Sequence, residues 1–182
     1  MGSGTTLVEA KLLNRNAIGV DINPQSVSIS ETNLQFQCET KSKIHMRCAN
    51  ATDLSFIKDS HIDFICTHPP YANIIKYSKN VDGDISLLTV EEFLKEMTVV
   101  AQEAYRVLRK GKACAVMIGD MRRYGKVVPL GFWVMECFLT AEFVSKEIII
   151  KEQHNCRSTD YWEKQNNNFL LLAHEYIFVF QK

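Results

Sequence analysis

Gly2-Ser-Gly-Thr-Thr6 leads straight into Leu7-Val-Glu-Ala-Lys-Leu-Leu13, and Ala17-Ile-Gly-Val-Asp21 follows three residues later. Leu7, Val8, Leu12 and Leu13 fall on one helical stripe between Thr5 and Asn14, and Ala17 to Asp21 reads as a short buried strand ending in a carboxylate. A glycine loop that opens into a helix leaves backbone amides bare at the helix start, where small side chains let a polar ligand come close. Alone, the loop equally fits an ordinary Gly-rich turn with a Ser/Thr cap. Asp21 lies at about the distance at which a dinucleotide-type fold sets an acidic residue on the ribose hydroxyls. Together they point to a nucleoside ligand, although Asp21 could instead cap the next turn.

The same alternation continues outward. Asn23 can cap a helix with Pro24 in its first turn, running to about Gln37. Ile44–Cys48 and Ile62–Cys66 are strand candidates, each followed by a polar turn. Thr89 with Glu92 forms a capping box before a long amphipathic helix marked by Phe93, Met97, Val100, Ala101, Ala104 and Leu108 and stopping at Gly111. Ala113–Ile118 is a continuous apolar run, as a strand covered on both faces requires. A helix over Pro129–Thr140 and strands over Phe143–Lys151 and Glu175–Gln181 complete the pattern, with a long polar loop from Gln153 to Asn168. Alternating helices and strands predict an α/β fold with a mostly parallel sheet, helices on both faces and an antiparallel edge at the C-terminus. No repeat or internal boundary appears, so residues 1–182 read as a single domain.

Composition limits the functional classes. Twenty-one basic residues balance 21 acidic ones, so no field over the whole chain announces a polyanionic partner. The six cysteines (Cys38, Cys48, Cys66, Cys114, Cys137, Cys156) show no paired zinc-ligand spacing, and several sit in apolar runs; no metal is expected, and a reducing, cytoplasmic setting fits. His154 and His174 have no second ligand at finger or helical spacing. No apolar stretch is long enough to span a bilayer.

Asp63-Phe-Ile-Cys-Thr-His-Pro-Pro-Tyr71 carries the chemistry: an apolar strand runs into a loop stiffened by two prolines, at the end of a strand where open α/β sheets bind ligands. Pro69 and Pro70 fix φ and remove two amide donors, leaving oriented carbonyl acceptors beside the polar side chain of His68 and the aromatic face of Tyr71. An exocyclic amino group is a poor nucleophile because its lone pair is delocalised into the ring. Acceptors gripping its hydrogens favour a pyramidal nitrogen and release that pair. Tyr71 would stack on a base taken out of its duplex, an interaction of about 1–3 kcal/mol.

Gly2-Ser-Gly-Thr-Thr-Leu-Val-Glu-Ala10, Ile18-Gly-Val-Asp-Ile-Asn-Pro24 and His68-Pro-Pro-Tyr71 together resemble the DNA amino-methyltransferases, which methylate the amino group of adenine or cytosine. The likeness extends to Ile118-Gly-Asp120 and to His174-Glu-Tyr-Ile-Phe-Val-Phe180. It implies a Rossmann-like class I methyltransferase fold with S-adenosylmethionine as cofactor. Gly2, Ser3, Gly4, Thr5 and Thr6 would hold the methionine portion, Asp21 with Ile22 the ribose, and Asp53 with Leu54 the adenine. His68, Pro69, Pro70 and Tyr71 would form the catalytic loop and DNA would be the substrate.

Two departures from the family matter. The first motif position is usually Asp, Asn or Ser and here is His68, a neutral acceptor that is lost on protonation near pH ~6.5. The family also leads into the glycine loop from a central strand, so an upstream segment or a partner chain is expected to supply it; without it a strip of backbone should lie unpaired. Target recognition would use loops rather than a separate domain: Ala72–Leu88, Arg122-Arg-Tyr-Gly-Lys126, or the segment around Trp162. Arg122, Arg123, Lys126, Arg109, Lys110 and Lys112 are phosphate-contact candidates if they share the face of His68. Related Pro-Pro-Tyr loops methylate RNA bases and protein glutamine amides, and an inactive fragment that only binds a partner is the non-enzymatic alternative.

Overall fold

The computed structural model describes residues 1–72, 81–154 and 170–182. Backbone contacts divide the chain into two units, residues 1–56 with 72–93, and residues 57–71 with 94–182.

The first unit opens with α1 (Thr5–Leu12), β1 (Ala17–Asp21), α2 (Pro24–Asn33) and β2 (Ile44–Cys48). β1 and β2 are parallel, in register from Ala17 beside Ile44 to Asp21 beside Cys48. α1 lies close on β1 because Gly19 has no side chain: an added Cβ would stand 2.5 Å from Leu7 Cδ1. Asn23 caps α2 as expected, its side chain accepting from Gln25 N at 2.9 Å. α2 ends at Asn33 rather than near Gln37. The ammonium of Lys11 takes the carbonyls of Leu34 and Phe36, each at 2.7 Å, and draws the chain away from the helical path. After β2, a short 3₁₀ turn (Ile85–Leu87) precedes the capping box, in which Thr89 N and Oγ1 both donate to Glu92 Oε2 at 3.0 and 2.8 Å.

The second unit holds β3 (Ile62–Thr67), most of α3 (Val90–Val107), β4 (Leu108–Ile118), β5 (Met121–Arg123), β6 (Lys126–Val128), α4 (Leu130–Thr140), β7 (Val144–Glu152) and β8 (His174–Gln181). Its main sheet has the order β3-β4-β8-β7, with β3 parallel to β4 and β8 antiparallel to both β4 and β7. The antiparallel C-terminal hairpin is the one the sequence predicts; among the described residues the sheets are mixed, with β1–β2 and β3–β4 parallel and β4–β8, β8–β7 and β5–β6 antiparallel. Met97, Ala101, Ala104 and Val107 from α3, Val116 and Ile118 from β4, Val134 and Phe138 from α4 and Phe178 and Phe180 from β8 form the buried core. The Phe138 and Phe180 rings stack with centroids 5.0 Å apart.

Two further expectations are corrected. The long helix does not run to Gly111: it ends at Val107 and the strand begins at Leu108 rather than Ala113. Leu108–Lys112 has helical propensity, but Ile62 pairs with Leu108 and Gly111 N donates to Lys182 O at 2.7 Å, so ladder bonds win. The basic turn after Asp120 is a hairpin, β5 with β6, closed by Tyr124 (φ 51°) and Gly125 (φ 75°). Positive φ at both residues suits the right-handed twist of the flanking strands.

Among the described residues β1 pairs only with β2, and β3 only with β4, so each keeps one edge without a strand. On β3, Phe64 is 58% exposed. No described helix is long and apolar enough to cross a membrane.

Candidate active site

In the first unit, Gly4 caps α1 in the left-handed conformation (φ 81°), with no side-chain cap bond. A Cβ there would stand 2.7 Å from Ser30 Oγ, so only glycine fits. α2 fastens the loop from behind: Ser30 Oγ donates to Gly2 O at 3.1 Å, and Asn33 Nδ2 to Ser3 O at 2.9 Å. Gly2, Ser3, Thr5 and Thr6 are exposed, which leaves the start of the helix open to an anionic or polar group.

The loop and Asp21 meet. Oδ2 of Asp21 accepts from Gly2 N and from the amino group of Met1, both at 2.9 Å, and Oδ1 from Asn23 N at 2.9 Å. Burial alone would raise the Asp21 pKa; the Asn23 and Gly2 amides and the Met1 ammonium outweigh it and hold the carboxyl below its ordinary value. With about four acceptor positions on a carboxylate, Oδ1 retains capacity for a hydroxyl donor. Asp53 closes a turn of its own, Oδ1 accepting from Ser55 N at 3.0 Å, and is exposed, with Leu54 half-buried beside it. Ile22 borders the turn at Gly83 (φ 79°), where an added Cβ would lie 3.1 Å from both Ile22 Cδ1 and Asn50 Nδ2. Residues 81–88 therefore pack by the ends of β1 and β2, with Asp84 and Ser86 buried, rather than standing out as a recognition loop. Residues 73–80 of that segment, and the stretch around Trp162, lie outside the described residues.

In the second unit, His68, Pro69, Pro70 and Tyr71 follow β3 with trans peptide bonds, Pro69 buried and the His68 side chain 43% exposed. Tyr71 Oη donates to Glu175 Oε1 at 3.0 Å and accepts from Gly119 N at 2.8 Å, pinning the loop to the ends of β4 and β8. His68 Nε2 lies 3.4 Å from the same Glu175 oxygen, and Lys151 Nζ is 2.8 Å from Oε2. Burial lowers the His68 pKa, and the charge of Lys151 adds to this; Glu175 opposes them without prevailing, so the ring is neutral at pH 7. Burial would raise the Glu175 pKa, but hydrogen bonds from Lys151, Gln153 and Tyr71 hold it below the usual carboxylate range.

Asp120 is structural: Oδ1 caps α4 by accepting from Gly131 N at 3.0 Å, and Oδ2 accepts from Tyr176 Oη at 3.1 Å. The basic candidates divide. Arg109 and Lys112 reach Asp63 at 2.9 and 3.6 Å, at the far end of β3 and roughly 16 Å along the strand from His68. Arg122 turns onto the carbonyls of Gly125 and Leu170 at 3.1 and 3.0 Å. Arg123 and Lys126 remain exposed on the hairpin that leaves the same end of the sheet as His68. His154 and His174 contact Glu152 and Tyr176, and no group of three metal-ligating side chains occurs among the described residues. Sequence reasoning missed Glu175 and Lys151. The available signal was a carboxylate inside the otherwise apolar strand His174-Glu-Tyr-Ile-Phe-Val-Phe180.

A fold of this class is shared with a SAM-dependent methyltransferase from Methanosarcina mazei, which has a TM-score of 0.66 and 16% identity over 100% of this chain and 88% of that one. A candidate DNA modification methylase from Thermus thermophilus, solved with S-adenosyl-L-methionine, has a TM-score of 0.55 and 23% identity over 74% of this chain and 53% of that one. The PvuII cytosine-N4-specific DNA methyltransferase has a TM-score of 0.58 and 14% identity over 73% and 47%. This chain thus matches about half the length of the two DNA-modifying structures. The architecture is that of the SAM-dependent methyltransferases. Residues 1–32 and 62–182 match the DNA methylase family model, and the chain belongs to that family. No curated protein matches.

Proposed function

We propose that residues 1–182 act as a single catalytic domain that moves a methyl group from S-adenosylmethionine to the exocyclic amino nitrogen of adenine or cytosine in DNA. The observation that carries this reading is the His68-Pro-Pro-Tyr71 loop at the end of a parallel strand, with Tyr71 pinned by Gly119 and Glu175. It is joined to family membership over most of the chain.

The residues fit the cofactor. Gly2 N and Gly4 N are taken by Asp21 and Met1 O, Ser3, Thr5 and Thr6 lie exposed at the start of α1, only glycine fits at position 4, and Asp21 can accept a ribose hydroxyl. Ile22, Asp53 and Leu54 would line the adenosine portion. S-adenosylmethionine supplies an electrophilic methyl group. Neutral His68 and the loop carbonyls accept hydrogen bonds from the target amino group, and the Tyr71 ring stacks on the base. Arg123 and Lys126 contact backbone phosphates.

The strand-free edge of β1 supports one addition: an extended segment, from an upstream stretch or from a partner chain, that pairs with it. Free thiols at Cys38, Cys48, Cys66, Cys114 and Cys137 agree with a cytoplasmic setting.

Tritiated methyl transfer to separate DNA, RNA and protein pools tests the reading. Label in DNA alone is expected. Label in RNA or protein would transfer the same chemistry to another substrate, and label in none by folded, cofactor-bound chain would refute it.

A further inference from the structure

Glu175 is out of place in a packing role. On β8, Tyr176, Phe178 and Phe180 alternate into the aromatic core, whereas Glu175 lies on the opposite face and is only 5% exposed. A carboxylate so buried needs several donors to remain ionised. It has them: Tyr71 Oη at 3.0 Å, Lys151 Nζ at 2.8 Å and the side chain of Gln153. Those bonds explain an ionised latch on the loop. They do not explain why His68, the first residue of the same loop, sets Nε2 3.4 Å from the same Oε1.

Resting on the amino-methylation reading, we propose that Glu175 is the positioning residue for His68: it accepts the Nε2 hydrogen and so holds the ring in the tautomer whose Nδ1 carries a lone pair. Which nitrogen of a histidine bears the proton is set by the bond the other makes. The chemistry requires such an acceptor. As the N–CH₃ bond forms and the S–CH₃ bond breaks, the amino nitrogen takes on positive charge, the sulfonium becomes a neutral thioether, and one of the two amino protons must leave. His68 Nδ1 takes that proton. Glu175 balances the imidazolium, with Lys151 from β7 and Tyr71 from the loop fixing the carboxylate in turn. The half-exposed ring then returns the proton to solvent. The first position of the His68-Pro-Pro-Tyr71 loop is thus served by a neutral base backed by a carboxylate on β8.

Two measurements test this, and the first needs neither activity nor a variant of Glu175. Nitrogen-15 spectra of histidine-labelled chain, with the His68 signals assigned by their loss in His68→Gln, should show His68 as the Nε2–H tautomer at pH 8. An Nδ1–H tautomer would overturn the proposal even if DNA is methylated. The second compares pH-rate profiles of wild type and Glu175→Gln on DNA. The rate should fall by up to roughly the hundred- to ten-thousand-fold that a general base contributes, cofactor affinity should not change, and the acid limb should move to lower pH because the imidazolium has lost its counter-charge. A slower variant with an unmoved limb would reduce Glu175 to a structural latch and refute the proposal. Absence of methyl transfer by wild type would refute the amino-methylation reading, while an Nδ1–H tautomer would refute the role of Glu175 independently of it.

Discussion

Replacing Gly4 and Gly2 by alanine separates two costs that the glycine loop combines. Both residues have positive φ, 81° and 57°, so each alanine carries the left-handed penalty of about 1–2 kcal/mol. A Cβ on Gly2 meets nothing within 4 Å, whereas one on Gly4 would lie 2.7 Å from Ser30 Oγ, 2.8 Å from its Cβ and 3.1 Å from its Cα. Ser30 is fully buried and cannot swing away, so Gly4→Ala adds an overpacking cost of about 1–3 kcal/mol. Moving Ser30 also threatens its bond to Gly2 O at 3.1 Å. Urea unfolding followed by circular dichroism should therefore place Gly4→Ala below Gly2→Ala by about 1–3 kcal/mol. Ser30→Gly removes two of the three offending atoms at a helix cost of about 1 kcal/mol. The double variant should be more stable than the sum of its single changes by more than the ~0.5 kcal/mol expected of independent sites. Equal loss in the two alanine variants, or strict additivity in the cycle, would refute the close approach of α2 to the loop.

Asp21→Ala should weaken S-adenosylmethionine binding about ten- to a hundred-fold by calorimetry, about 1.4–2.8 kcal/mol, with the fold retained by circular dichroism. Because the folded pKa of Asp21 lies below its ordinary 3.8, its contribution is present above that value and lost as pH falls through the folded pKa; Asp21→Asn should flatten this part of the acid unfolding curve. His68 has the same direction of shift for a base: burial takes it below 6.5, so the methylation rate should hold through neutral pH and fall below that value, and His68→Asn should remove the limb. Arg123→Ala with Lys126→Ala should weaken DNA binding and reduce the slope of log K against log salt by about 2, whereas Arg109→Ala with Lys112→Ala should leave it unchanged.

Most of the frame could be read before the structure, for physical reasons visible at particular residues. β1 and β2 have the predicted bounds because Ala17–Asp21 and Ile44–Cys48 are short runs bounded by polar turns. The Thr89–Glu92 box forms both bonds that its spacing implies, Thr89 N to Glu92 Oε2 and Glu92 N to Thr89 Oγ1. Gly2 and Asp21 meet as the loop-then-strand pattern requires. What could not be read depends on partners distant in sequence. Lys11 ends α2 from 23 residues away, Lys182 holds Gly111 in the strand, and Asp63 takes Arg109 and Lys112 away from the motif end. Glu175 was hidden most deeply. Composition marks a carboxylate in an apolar strand, but only the pairing of β8 with β4 brings it to Tyr71, 104 residues earlier.

The most direct test of the central claim is the identity of the methylated nucleoside. Wild-type chain would be incubated with S-adenosylmethionine and duplex DNA of mixed sequence, the DNA digested, and the nucleosides separated with mass detection. N6-methyladenine or N4-methylcytosine, absent from an Asp21→Ala control, is the predicted product. Methyl on carbon 5 of cytosine, or unmodified DNA from folded chain that binds the cofactor, would contradict amino-nitrogen methylation at the His68-Pro-Pro-Tyr71 loop.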